Sequence, residues 1–99
     1  RDFIFTEDAA DAVLKLLNTD FIGTVNLGSG KMSSLKLISE IIEELSGKKI
    51  ISKDHKVSGP MEFNTNIKKI SEIAGWKPKF DIQTGLEKTY NIMKSYYLK

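Results

Sequence analysis

The sequence predicts an α/β chain with the element order β-α-β-α-β-α-α. Short runs rich in aromatic and β-branched residues fall at 2–6, 23–27 and 50–51, the content expected of strands. The longer segments between and after them carry apolar residues at helical spacing. Glycines and capping residues stand at the segment ends, where helices start and stop.

The first strand covers Asp2 to Thr6, and Thr6-Glu7-Asp8 reads as a helix start, with Thr6 or Asp8 as cap. Ala10, Val13, Leu14 and Leu17 follow at i, i+3, i+4 and i+7 and predict a buried face. Asn18-Thr19-Asp20 ends that helix, and Gly23 to Leu27 forms the second strand. Ser33 or Ser34 caps the next helix, whose stripe is Ile38, Ile41, Ile42 and Leu45, with Gly47 at its C-terminus. Ile50 and Ile51 mark the third strand, and residues 54–65, with Gly59-Pro60, read as a loop. Asn66 caps a short helix carrying Ile67, Ile70 and Ile73 and closed by Gly75. Trp76-Lys77-Pro78-Lys79 is extended, because the residue before proline is pushed out of the helical region. Asp81 caps the last helix, along which Leu86, Tyr90, Met93 and Tyr97 share a face. Gly85 inside that helix costs about 1 kcal/mol relative to Ala, which implies a close neighbour.

Three short strands offer too little area for four amphipathic helices, so another layer is expected to pack on them. The chain also opens in strand-like residues, Arg1-Asp2-Phe3-Ile4-Phe5, with no lead-in. The expectation is one domain over 1–99 that is a piece of a longer protein.

Composition excludes several function classes. The net charge of +2 is too balanced for a nucleic-acid binder working by phosphate neutralisation, and the lysines are spread along the chain. With no cysteine and a single histidine, His55, disulfides, thiolate nucleophiles, Cys-type zinc sites and multi-His metal sites are all ruled out. Charges interrupt each apolar run well short of the ~20 residues of a membrane span. A cytoplasmic location, away from membranes, is the default expectation.

The stretch Val25-Asn26-Leu27-Gly28-Ser29-Gly30-Lys31 looks like a phosphate-binding loop, but the spacing fails. In a P-loop ending at Gly30-Lys31, the first glycine would fall on Val25 and the magnesium-binding hydroxyl on Met32. In the dinucleotide pattern G-x-G-x-x-G, the third glycine would fall on Ser33. The expected role is a tight strand-to-helix turn.

Four motifs occur in order: R-D-F-I-F-T-x-D-A-A (Arg1 to Ala10), V-N-L-G-S-G (Val25 to Gly30), G-W-K-P-K (Gly75 to Lys79) and T-G-L-x-x-T (Thr84 to Thr89). Together they span nearly the whole chain, which resembles the C-terminal part of the NAD-dependent epimerase/dehydratases, extended short-chain dehydrogenases that act on nucleotide-sugars. The resemblance implies the C-terminal, substrate-binding lobe of an extended Rossmann-type enzyme. The N-terminal Rossmann domain, with its NAD or NADP loop and catalytic Tyr-x-x-x-Lys pair, would lie outside these residues. It also implies a homodimeric parent enzyme, and a segment that by itself binds no cofactor and is inactive. Tyr90 and Lys94 have the catalytic spacing, but Tyr90 lies on a core-facing stripe and is read as core.

The resemblance implies that Arg1 contacts the pyrophosphate of the nucleotide-sugar. A guanidinium fork suits two phosphate oxygens, and Arg1 is the only arginine in the chain; the alternative is a surface charge. Lys56 stands where the family's R-x-G-D pattern has its arginine and can replace it only as a point charge. That pattern's acid is Gly59 here, and its later arginine is Glu62. Asn26, at a strand end where ligands gather in open sheets, is either a ligand or a side chain bonding a turn. Asp8 is expected to be a helix cap, Trp76 a core residue, and His55 a loop residue without a metal. No residue is assigned a catalytic role. The competing function is a stand-alone α/β interaction module without enzyme activity.

Overall fold

The structure is a computed structural model and describes residues 1–51 and 64–97. Its helices are α1 (Thr6–Leu17), α2 (Leu35–Ser46), α3 (Lys68–Ala74) and α4 (Ile82–Tyr97). They pair as α1 on α3 and α2 on α4. The chain is thin, with extents of 47 × 35 × 17 Å. Its radius of gyration is 15.9 Å, against about 13 Å for a self-contained domain of this length.

Local chemistry accounts for most helix ends. Ser34 caps α2, its Oγ accepting from Leu37 N–H at 3.0 Å. Asp81 Oδ1 accepts from Thr84 N–H at 2.8 Å at the start of α4. Asn66 Oδ1 accepts from Lys68 N–H at 3.0 Å just ahead of α3. Gly47 and Gly75 close α2 and α3 in the left-handed region, each donating its N–H back four residues at 2.9 Å. The first helix differs from expectation. Neither Thr6 nor Asp8 caps it; Phe5 occupies the N-cap position without a side-chain bond, and Thr6 is already helical.

The three expected strands do not form a sheet. Among the described residues, β pairing is confined to one antiparallel bridge between Asp2 and Met32. An extended segment becomes a strand only when a neighbour takes up its N–H and C=O groups, and among the described residues 23–27 and 50–51 have no such ladder.

The core consists of Ala12, Ile70 and Trp76, with Ile4, Leu16, Val25, Ile67 and Ala74 packed against it. On α1 the inward stripe is therefore Asp8, Ala12 and Leu16. The predicted buried face is instead outward: Val13, Leu14 and Leu17 are 51%, 63% and 74% exposed. This helix is apolar on both flanks, so periodicity could not say which flank the rest of the chain covers. On α2, Ile41 is buried and Ile38, Ile42 and Leu45 are half-buried. On α4, the shared face is packed at Leu86 and Tyr90 and open at Met93 and Tyr97.

Gly85 has the neighbour its position implied. A Cβ there would lie 3.3 Å from Phe5 Cβ. Phe5 in turn meets Phe80 edge to face, with ring centroids 4.9 Å apart, which fastens the entry of α1 to the entry of α4.

Candidate functional site

The first residues, the glycine turn and the chain entering α3 meet at one carboxylate. Asp2 Oδ1 accepts from Ser29 N–H at 2.8 Å and from Ser29 Oγ–H at 2.5 Å. Its Oδ2 accepts from Gly30 N–H at 3.0 Å and from Thr65 N–H at 3.2 Å. An ionised carboxylate has about four acceptor sites, and four donors from two distant segments converge on this one.

The turn is shaped for that approach. Gly30 has φ +75°, and the successive N–H groups of Ser29 and Gly30 point at one anion, forming a backbone nest. Gly28 is needed for a different reason: a Cβ there would come within 2.7 Å of Thr65 Cβ and 2.9 Å of Asp2 Oδ2. Ser29 Oγ also accepts from Lys31 N–H at 3.1 Å, which tightens the turn. Burial, the largest influence on Asp2, pushes its carboxyl up. The Ser29 hydroxyl and the N–H groups of Ser29, Gly30 and Thr65 together outweigh burial and hold the carboxyl below its ordinary value.

The loop that resembles a phosphate cradle is thus an anion nest filled by the chain's own Asp2. Gly28-Ser29-Gly30 is the sole G-x-G in the sequence. Its donors being spent on Asp2, the turn does not fit a dinucleotide pyrophosphate.

Arg1 lies on the surface beside this joint. Its carbonyl accepts from Ser33 N–H at 2.8 Å and its nitrogen donates to Ser33 O at 2.9 Å, which continues the Asp2–Met32 bridge. Asn26 is exposed and shares a depression with Leu27, Asn64, Thr65 and Asn66. Thr65 therefore borders Asn26's depression and bonds the residue next to Arg1. Lys56, with the rest of 52–63, lies outside the described residues. The same holds for His55, Gly59 and Glu62.

Two features escaped the sequence reading. One is Asp2, whose partners lie 27, 28 and 63 residues away. The other is an open cleft of about 740 Å³ beside the turn, into which Lys31, Lys68 and Lys77 face, with no acidic side chain among the described residues of the lining. Clustered lysines of this kind raise the local concentration of anions. Lysine spacing along the chain, at 31, 68 and 77, gave no hint of it.

Asp8 is corrected from helix cap to cross-chain tether. It is 1% exposed, and its carboxylate accepts from Lys79 N–H at 2.9 Å and Phe80 N–H at 3.1 Å. Trp76 is fully buried, as expected of a core residue. Tyr90 is half-buried, with Lys94 Nζ lying 5.9 Å from its ring centroid, a contact between helical neighbours. Among the described residues, no group of acidic or histidine side chains could hold a metal, and no helix is long and apolar enough to cross a membrane.

No protein-family profile matches the chain. Individual proteins do. GDP-mannose 3,5-epimerase of Arabidopsis thaliana is 32% identical over 93 residues, which are 91% of this chain and 24% of that protein. The fold matches UDP-glucose 4-epimerase of Thermotoga maritima, solved with UDP-glucose, at a TM-score of 0.89 and 22% identity, covering 100% of this chain and 32% of that one. It also matches UDP-glucuronic acid 4-epimerase of Bacillus cereus, solved with NAD, at a TM-score of 0.82 and 28% identity, covering 98% of this chain and 32% of that one. The chain spans about a quarter to a third of the length of these relatives.

Proposed function

Because the chain belongs to the NAD-dependent epimerase/dehydratase family of nucleotide-sugar enzymes, we propose that it is the nucleotide-sugar-binding, C-terminal lobe of a longer NAD(P)-dependent epimerase or dehydratase. The relatives' names include both GDP- and UDP-linked sugars. What these ligands share is the diphosphate, so the proposal is placed there.

Arg1 is the proposed diphosphate ligand. A guanidinium offers two parallel N–H donors to two phosphate oxygens, and its backbone is fixed at the Asp2 joint. Lys56 adds a point charge to the same anion, and Asn26 offers an amide to the nucleotide or sugar. The dinucleotide is held by residues outside this chain, since the glycine turn here is closed on Asp2. Its chemistry when bound is hydride exchange with the sugar. The acid–base pair for that step also lies outside this chain, because the Tyr90–Lys94 pair is a helix-surface contact. By itself the chain is inactive. The proposed parent enzyme is a cytoplasmic homodimer, and Val13, Leu14 and Leu17 face its remaining domain.

The observation that carries the reading is the Thr65–Asp2 hydrogen bond. It ties Thr65, on the chain entering α3, to the residue next to Arg1, so that Arg1 stands at the joint between the glycine turn and that segment. Amide chemical shifts titrated with UDP and GDP, and separately with uridine and guanosine, test it. The reading expects saturable shifts around Asp2, Thr65 and Asn66 with the diphosphates and none with the nucleosides. Equal responses to both would overturn it.

A further inference from the structure

We infer that Asp2 is a positioning residue for the diphosphate site, clamping the Arg1 segment and the chain at Thr65 to the glycine turn. The inference rests on the reading of Arg1 as diphosphate ligand and names what keeps that ligand in place.

The two carboxylate oxygens divide the work. Oδ1 is spent on Ser29, through its N–H and its hydroxyl. Oδ2 joins Gly30 N–H to Thr65 N–H, so it is the atom that couples the turn to the distant segment. The peptide before Asp2 is held on its other side by two bonds to Ser33. The Arg1 backbone is therefore fixed on both flanks, and a long side chain on a fixed backbone loses less freedom when it meets its ligand. Gly28 permits the joint to close, because any side chain there would strike Thr65 and Asp2 Oδ2. Asp2 is itself only half-buried and packs outside the Ala12–Ile70–Trp76 core. Its loss should therefore disturb the site more than the fold.

Asp2→Asn discriminates between a positioning role and a merely structural one. The amide keeps the shape and can still present oxygen to Ser29. Its NH₂ then faces the N–H groups of Gly30 and Thr65, donor against donor, and the Thr65 arm opens. Gly28→Ala opens the same arm by contact, from the other side.

The test is calorimetric titration of the full-length enzyme with UDP and GDP, alongside thermal unfolding, for wild type, Asp2→Asn, Gly28→Ala and the double variant. The inference expects each single variant to bind the diphosphates at least tenfold more weakly while still unfolding cooperatively, with a midpoint lowered by the loss of the Asp2 bonds but well above the temperature of the titration. The double variant should be no weaker than the worse single, because both changes break one joint. Hydrogen exchange at Thr65 should rise in both. Should Asp2→Asn not fold, Ser29→Ala, which removes one donor to Oδ1, is expected to weaken binding about threefold in a folded protein. Wild-type affinity in a folded Asp2→Asn or Ser29→Ala variant would overturn the inference and leave the diphosphate reading standing. Absence of diphosphate binding in wild type would instead remove the reading itself, and the inference with it.

Discussion

The indole N–H of Trp76 donates to the backbone carbonyl of Asp8 at 3.0 Å, inside the core and across 68 residues of sequence. The same Asp8 turns its carboxylate to the N–H groups of Lys79 and Phe80. One residue of α1 thus holds both the side chain at the end of α3 and the backbone leading into α4.

Asp8→Ala is expected to lower stability by about 2 kcal/mol or more, since it strips the acceptor from the Lys79 and Phe80 N–H groups. Urea unfolding with a two-state fit measures it. Asp8→Asn, which keeps one acceptor oxygen, should lose less. A loss below about 0.5 kcal/mol for Asp8→Ala would show that the tether contributes nothing.

Asp2 makes part of the stability depend on pH. Its folded carboxyl is held below the ordinary value, so its contribution is complete above the unfolded value and is lost as pH falls through the folded one. Unfolding free energies measured from neutral pH down to pH 3 should therefore fall more steeply for wild type than for Asp2→Asn, with the two curves converging in acid. Parallel curves would contradict the clamp.

On α2 the buried residue is Ile41, at 5% exposed. Ile41→Ala should destabilise by about 2 to 4 kcal/mol, and Ile42→Ala, at a half-buried position, by less. The reverse order in denaturant unfolding would mean that the α2–α4 contact uses the other flank.

Leu14→Lys and Leu17→Lys should leave the stability of the 99-residue chain within about 0.5 kcal/mol, because both leucines are exposed. In the proposed parent enzyme the same changes should destabilise, because the proposal sets its remaining domain against this face. Equal, small effects in both would leave the face without a partner.

What could be read from the sequence was what is settled locally. Ser34, Asp81, Gly47 and Gly75 cap their helices within four residues of chain, and the tight contact at Gly85 was legible as a misplaced glycine. The strands were not legible, because whether 23–27 or 50–51 becomes a strand depends on a neighbour rather than on its own residues. The inward face of α1 was misread because Val13, Leu14 and Leu17 are as apolar as the stripe that is actually covered. Asp8 carried the letters of a helix cap and only its distant partners reveal a tether. Asp2 sat in a motif read for its arginine, and its role needs the turn at 28–30 and Thr65 brought alongside.

The central claim is that Arg1 binds the diphosphate of a nucleotide-sugar. Calorimetric titration of the full-length enzyme and its Arg1→Ala and Arg1→Lys variants with a UDP-sugar, a GDP-sugar and NAD tests it most directly. A charge-assisted pair to phosphate is worth about 1.5 to 3 kcal/mol, so Arg1→Ala should weaken nucleotide-sugar binding about tenfold to 100-fold. Arg1→Lys should recover part of that loss, and NAD affinity should not change. Unchanged nucleotide-sugar affinity in Arg1→Ala would contradict the claim.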